Sequence, residues 1–363
     1  MRAWPGYSTI EAVDTSGIEL ARRYYRQVVE PLLRTHCPDL SWSAARLGSG
    51  SDVLGLDDAR SRDHDWGLRL TLLVDDDAAV TDVRALLEAR LPDAFEGLPT
   101  RFATSWDPTP THNVDVRQVD AFIQSRLGVD IEALEDPLAW LALTGQSVLE
   151  VVAGPVFCDT SGRLSSVRTR LGWYPDDVWF YALASGWQRL AQELPIVGRC
   201  AEVGDDLGSR LIAARLARDV MHLAFLVERA WPPYPKWFGT RFAALQMAAA
   251  ASPALDRALT ADDWRAREEA LVAAVEVVAD AHAMRGLPLP DPTVVRFWDR
   301  PYRTISADVP AALMAAVSDR IVASLPIGVG SIEQWVDNVD VLSVPERRAT
   351  ITRSWHQALR SPP

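Results

Sequence analysis

The sequence predicts an α+β protein, a small mixed-sheet domain with helices followed by an all-helical bundle. Three observations lead there. Up to residue 119, short strand-like runs alternate with segments of helical periodicity. Beyond about residue 120, apolar residues recur almost throughout at helical spacing. The chain has 363 residues, long enough for two separate cores. The change in character is gradual; the boundary is drawn near residue 150, giving domains of 1–150 and 151–363.

In GIELARRYYRQVVEPLLRTH, residues 17–36, apolar side chains at helical spacing predict a helix. LSWSAARL (40–47) is a short strand ending at glycines. DHDWGLRLTLLV (63–74) is a strand that finishes in a Leu/Val run and stops at the acidic turn DDD. VTDVRALLEARLP (80–92) is a helix closed by a proline. RFATSW (101–106) and NVDVRQV (113–119) form two strands joined by the proline-rich turn DPTPTH. VDAFIQSRLG and DPLAWLALTGQSVLEVVAG read as helical, as do 176–195, 205–230, 239–252 and 261–284, then DVPAALMAAVSDRIVASL and VPERRATITRSWHQALR. With 14 tryptophans, aromatic faces are expected to fill the bundle core.

Composition narrows the function. At 48% hydrophobic and 24% charged residues the chain is an ordinary globular one. It has no run of about 18 apolar residues, so no membrane span is expected. MRAWPGYSTIEAVD lacks an apolar signal core, and the expected location is cytoplasmic. Three scattered cysteines form no disulfide or zinc framework, and six histidines contain no HExxH. A net charge of −12 disfavours a protein that tracks nucleic acid and favours cationic small molecules. The basic residues are 36 arginines and one lysine, Lys236. Codon bias explains the arginines; a lysine kept against that bias points to a place where a compact ammonium is needed.

GSGSDVLGLDDARSRDHDW, 48–66, carries the chemistry. In a strand, Asp63 and Asp65 project together and His64 projects opposite. Two adjacent carboxylates repel each other unless a divalent cation joins them, and Mg²⁺ takes one or two carboxylates plus substrate phosphates. Gly50 permits close backbone approach, Ser51 supplies a hydroxyl, and amides in such a turn can hold phosphate oxygens. Eleven residues separate Ser51 from Asp63.

Gly50, Ser51, Gly55, Asp63 and Asp65 resemble the motif of the DNA polymerase β-like nucleotidyltransferase superfamily. More narrowly, LGSGSDVLGLDDARSRDHDW, VGRCAEVGDDLGSRLIAARLARDVMHLAFLVER and YPKWFGTRF resemble an uncharacterised bacterial nucleotidyltransferase-like family. The resemblance implies Mg²⁺ on Asp63 and Asp65 and an NTP held by Gly50 and Ser51. It also implies a third carboxylate on a neighbouring strand and a helical-domain lysine on the phosphates, here Lys236. Asp115 and Asp120 are the candidates for the third carboxylate. Asp115 is favoured because Asn113, Asp115 and Arg117 alternate with Val114 and Val116, as on a strand with one polar face. The expected cleft lies between the two domains. The expected reaction moves a nucleoside monophosphate to a hydroxyl of an acceptor, a small molecule by preference; the alternative is a non-catalytic nucleotide sensor.

Three features of the helical half stay outside that scheme. Glu202, Asp206 and Arg210 share a helix face and are expected to form an exposed ladder, worth ~0.3–0.5 kcal/mol per pair. His222 follows Asp219 by three residues, which suggests a hydrogen bond on a helix surface. GSIEQWVDNVDVL, 330–342, either covers the cleft or caps a helix.

Overall fold

The computed structural model describes residues 16–58, 61, 66–104, 107–349 and 351–352. The described residues fall into two compact units. The first runs to Phe122 and includes Leu149–Thr169; the second comprises Ile123–Val148 and the chain from Arg170 onward. No single cut separates them.

In the first unit, helix α1 (Gly17–Tyr24) continues through a π-helical turn, Tyr25–Val29, into α2 (Glu30–His36), matching the helix expected at 17–36. Then come β1 (Trp42–Ala45), a 3₁₀ turn at Asp52–Leu54, β2 (Arg69–Val74), α3 (Ala79–Arg90), the small pair β3 (Ala94–Phe95) and β4 (Leu98–Pro99), β5 (Arg101–Phe102), β6 (Thr111–Gln118) and α4 (Val119–Leu127). After α5 (Pro137–Leu141) and α6 (Gly145–Val152), the chain forms β7 (Val156–Asp159) and α7 (Arg163–Arg170). The sheet order is β5-β6-β2-β1-β7. β2 and β6 are parallel, with α3 in the crossover that such a pair requires; the other neighbours are antiparallel.

Alternation sorts the sheet into two faces. Trp42, Ala44, Leu70, Leu72, Val74, Val114 and Val116 share one core with Leu20, Tyr24, Val29, Leu33, Val83 and Leu87 of the helices. The opposite face carries Ser43 and Ala45 of β1, Arg69, Thr71 and Leu73 of β2, and Asn113, Asp115 and Arg117 of β6.

In this unit the strands depart from expectation at two places. The strand predicted from residue 63 begins at Arg69, because Trp66–Leu68 bend; Gly67 has φ +152°, and a Cβ there would come within 2.9 Å of the Phe102 ring. β7 has no counterpart in the expected order. It follows Gly154, whose missing Cβ lets the chain pass β1: a Cβ there would sit 1.7 Å from the Arg46 carbonyl oxygen.

The second unit holds α8 (Asp176–Glu202), α9 (Asp206–Val227), α10 (Pro235–Phe242), α11 (Ala248–Thr260) and α12 (Trp264–Met284). The hairpin β8 (Val294–Arg296) and β9 (Arg303–Ile305) follows, then α13 (Asp308–Ala315), α14 (Arg320–Ala323), a 3₁₀ turn at Ile332–Gln334 and α15 (Val339–Ser343). The helix expected at 239–252 is the end of α10, a turn and the start of α11. Asp206 and Arg210 do pair, at 2.7 Å, but the ladder is anchored inside. Arg267 of α12, 1% exposed, donates to Asp206 at 2.7 Å and also to Ser209, while Glu202 accepts from the Tyr302 hydroxyl.

α8 was expected to stop at Pro195 and instead runs to Glu202. Proline has no N–H for the carbonyl four residues back, here that of Ala191. The Thr304 hydroxyl of β9 donates to that carbonyl at 2.8 Å and satisfies it. Thr304→Val should therefore cost ~1–3 kcal/mol of unfolding free energy, measured by chemical denaturation, and Thr304→Ser should cost much less.

Candidate functional site

The Gly-Ser turn is built on a buried ion pair. Beyond β1, Arg46 turns inward and is 2% exposed. Its Nε and Nη2 donate to the two carboxylate oxygens of Asp52 at 2.6 and 2.8 Å, and its remaining donors reach the carbonyls of Leu47 (2.7 Å) and Ser49 (3.1 Å). From β2, the Thr71 hydroxyl accepts the Leu47 N–H at 3.2 Å, fixing the strand exit from the other side. The Gly48 N–H donates to the Glu150 carbonyl at 2.8 Å.

Gly50 has φ +137°, and a Cβ there would come 2.3 Å from Asp52 Oδ1 and 2.6 Å from Arg46 Nη2. The need for glycine thus arises from the ion pair beneath it as well as from the backbone angle. Ser51 opens the 3₁₀ turn. The N–H groups of Val53, Leu54, Gly55 and Leu56 fold back onto the carbonyls of Gly50, Ser51, Asp52 and Ser51, respectively. Gly55, at φ +70°, closes it.

Next to the turn is the polar face of the sheet. Ala45, Thr71 and Asp115 lie in one row across β1, β2 and β6. Arg69, which sequence reasoning missed, brings Nη1 to within 3.5 Å of where a Gly50 Cβ would stand. Asp115 accepts from Arg117 Nε at 2.9 and 3.1 Å, and both side chains are partly exposed. Asp120 is placed differently, in the first turn of α4, where it accepts from Arg163 and from Gln118. Burial alone would raise its pKa, but these hydrogen bonds outweigh it and hold the carboxyl below the ordinary range. Of the two candidates, Asp115 is the one on the sheet. A second aspartate on this face, Asp159 of β7, accepts from Ser43 at 2.8 Å and from the Ser165 amide and hydroxyl at 2.8 and 2.6 Å. Asp63 and Asp65 lie outside the described residues; among those described, no three metal-ligating side chains form a cluster.

In the second unit, Lys236 is exposed on α10, with Nζ 4.9 Å from the centroid of the Trp237 ring, a cation–π geometry. Its neighbours in YPKWFGT, Tyr234, Phe238 and Gly239, line a pocket of about 250 Å³ together with Arg218, His222 and Glu333. His222 is buried and stacks on Phe238, with ring centroids 6.3 Å apart. The expected surface hydrogen bond with Asp219 is not formed. Both residues are buried; Asp219 pairs with Arg189 at 2.7 Å, while His222 Nε2 faces Glu333 Oε1 at 3.9 Å. Segment 330–342 delivers that acid: Ser331 and Gln334 form a capping box around the 3₁₀ turn, and Glu333 Oε2 accepts the Gly145 N–H at 2.6 Å. Gly145 is itself required, since a Cβ there would lie 2.2 Å from the Pro232 carbonyl oxygen.

Burial, reinforced by Arg218 and Arg189, pushes the His222 imidazole down to about 3. Burial raises Glu333 to about 7, against the opposing pull of the Gly145 N–H, Arg218 and Arg348.

Residues 140–238 match a family described as a domain of unknown function, DUF4037. That stretch is a minority of the chain and includes Gly145, His222 and Phe238. No curated protein matches. A crystal structure of a nucleotidyltransferase-like protein from Exiguobacterium sibiricum 255-15 aligns with 74% of this chain and 81% of that one, at 12% identity and a TM-score of 0.30. A likeness that distant carries no conclusion about this chain's chemistry. No helix among the described residues is long and apolar enough to cross a membrane.

Because Glu333 titrates higher in the folded protein than its ordinary 4.5, the folded state holds more protons than the unfolded chain between pH 4.5 and about 7. This contribution to stability is lost as pH rises through that window, at up to ~1.4 kcal/mol per pH unit. Glu333→Gln should remove the loss, so its melting temperature should gain on wild type from pH 5 to 7 and hold the gain above that. His222, depressed in the folded state, loses stability in the other direction, as pH falls from 6.5 towards 3, in both proteins.

Proposed function

We propose that the protein is a Mg²⁺-dependent nucleotidyltransferase that moves a nucleoside monophosphate from an NTP to a hydroxyl of a small-molecule acceptor. The observation that carries this reading is the tight turn 48–55, which issues from β1 beside a polar sheet face bearing Arg69, Thr71 and Asp115. In this reading the amides of Ser49 and Gly50 and the Ser51 hydroxyl bind the outer phosphates, and the Arg69 guanidinium offsets their charge. The rigidity of the Arg46–Asp52 base keeps those donors aimed before the nucleotide arrives, which is the condition for electrostatic stabilisation of a transition state.

Asp63, Asp65 and Asp115 would hold the cation. The described member fits: Asp115 is a partly exposed carboxylate on a polar face, a hard oxygen donor of the kind Mg²⁺ takes. When bound, the cation would neutralise negative charge on the attacked phosphate. Asp115, or an acid of the helical half, would take the proton of the acceptor hydroxyl. The net charge of −12 draws a cationic acceptor to the protein. The assignment of Lys236 to phosphate charge rests on the family resemblance; comparing Lys236→Arg with Lys236→Met tests it. A second reading, a non-catalytic nucleotide sensor, is favoured by one observation: the Asp115 carboxylate already has the Arg117 guanidinium as its partner.

Pyrophosphate release with each NTP, with and without Mg²⁺ and a pool of cationic alcohols, separates these readings. The transferase predicts Mg²⁺-dependent release and an acceptor carrying a nucleotidyl mass increment. Asp115→Asn should lower turnover on the order of 100-fold or more while nucleotide binding persists. Nucleotide binding without release in the wild type would leave the sensor, and absence of both would remove the two readings together.

A further inference from the structure

The pocket of the second unit carries a cation that the fold leaves unengaged. Arg218 of α9 lines it with a side chain 30% exposed, so an occupant can reach the charge. The guanidinium makes no hydrogen bond among the described residues. Asp219 Oδ1 stands 3.9 Å from it, beyond hydrogen-bonding distance, and Asp219 Oδ2 is already taken by Arg189 at 2.7 Å.

The surroundings tie this charge to the pocket. The guanidinium carbon lies 5.8 Å from the centroid of Phe238, and His222, one helical turn on, stacks against the same ring at 6.3 Å. Both residues are pocket wall. Glu333, also in the wall, spends Oε2 on the Gly145 N–H, and its Oε1 has no accessible surface. Arg218 is therefore the charge that an occupant meets.

The rest of the wall is apolar and stiff. Pro232 and Pro233 have fixed φ, and the Pro232 carbonyl is packed against Gly145. The Tyr234 N–H donates to Gln146 Oε1 at 3.1 Å. A wall set before the ligand arrives loses little entropy on binding. Its volume, about 250 Å³, is below the ~300–1,000 Å³ of drug-sized sites and suits one small body. Guanidinium pairs best with a planar carboxylate, through two parallel hydrogen bonds. A doubly charged phosphate would bring a second negative charge, and the wall holds no second Arg or Lys to meet it.

We infer that this pocket binds a small apolar monocarboxylate, such as benzoate, with its carboxylate on Arg218 and its body against the proline and tyrosine walls. The site lies wholly within the second unit and stands independently of the nucleotidyltransferase reading.

Benzoate, benzyl alcohol, benzylammonium and acetate test it on the full chain, by ligand-observed NMR and calorimetry. Benzoate should bind saturably. Benzyl alcohol, with the same body and no charge, should bind at least about tenfold more weakly, as should acetate, which lacks the body. Benzylammonium should not bind. Arg218→Met should fold, since it breaks no hydrogen bond among the described residues, and should erase the preference for benzoate over benzyl alcohol. Arg241→Met, which removes an exposed charge from α10 but no pocket wall, should leave that preference intact. The wild-type ligand comparison decides the matter even if a variant fails to fold. No saturation by benzoate, equal affinity for benzyl alcohol or acetate, or the same loss in Arg241→Met as in Arg218→Met would overturn the inference.

Discussion

The first unit depends on one ion pair. Arg46 and Asp52 meet beneath the Gly-Ser turn, both largely withdrawn from water, with the remaining guanidinium donors on the Leu47 and Ser49 carbonyls. A buried charge pair of this kind adds little net stability by itself, but removing one partner strands the other at a cost of several kcal/mol. What the pair provides is shape. It closes the path from β1 into the 3₁₀ turn, forces Gly50 into a backbone region closed to other residues and brings that glycine beside Arg69 of the next strand. The exposed geometry of the turn is set by charges lying under it.

The second unit follows the same rule with different chemistry. Its long helices carry breaches that distant side chains repair. Thr304 supplies the bond that Pro195 denies to Ala191, and Arg267 gathers Asp206 and Ser209 from the neighbouring helix. Glu333 is carried on a short capped turn to the first amide of α6. At the pocket this repair stops one step short: the second oxygen of Glu333 and the His222 ring nitrogen receive no partner among the described residues.

Much of this architecture was legible in the sequence wherever a local signal existed. The helix at 17–36, the strands around 42–45 and 113–118, and α3, α9 and α12 all announce themselves by periodicity and by bounding glycines or prolines. The mixed sheet and the polar alternation around Asp115 were readable for the same reason. Features that depend on remote partners were not. Pro195 reads locally as a helix stop because its compensation comes from β9. β7 has four residues and no alternation to betray it. Arg46 and Asp52 stand six positions apart in a loop, with no repeat to link them. His222 and Glu333 are joined only by the tertiary fold. The choice between Asp115 and Asp120 turned on where β6 ends and α4 begins, a boundary that spacing alone did not mark.

The return of the chain to the sheet at β7 also bears on biosynthesis. β2 follows β1 closely in the chain, but the other edge of β1 waits for residues 156–159, which are made only after the segment 123–148, whose own partners in the second unit come later still. Until then the nascent sheet carries an open hydrogen-bonding edge, the feature by which partly made chains pair with one another. The order of synthesis therefore leaves one edge of β1 unpaired for more than a hundred residues of chain growth.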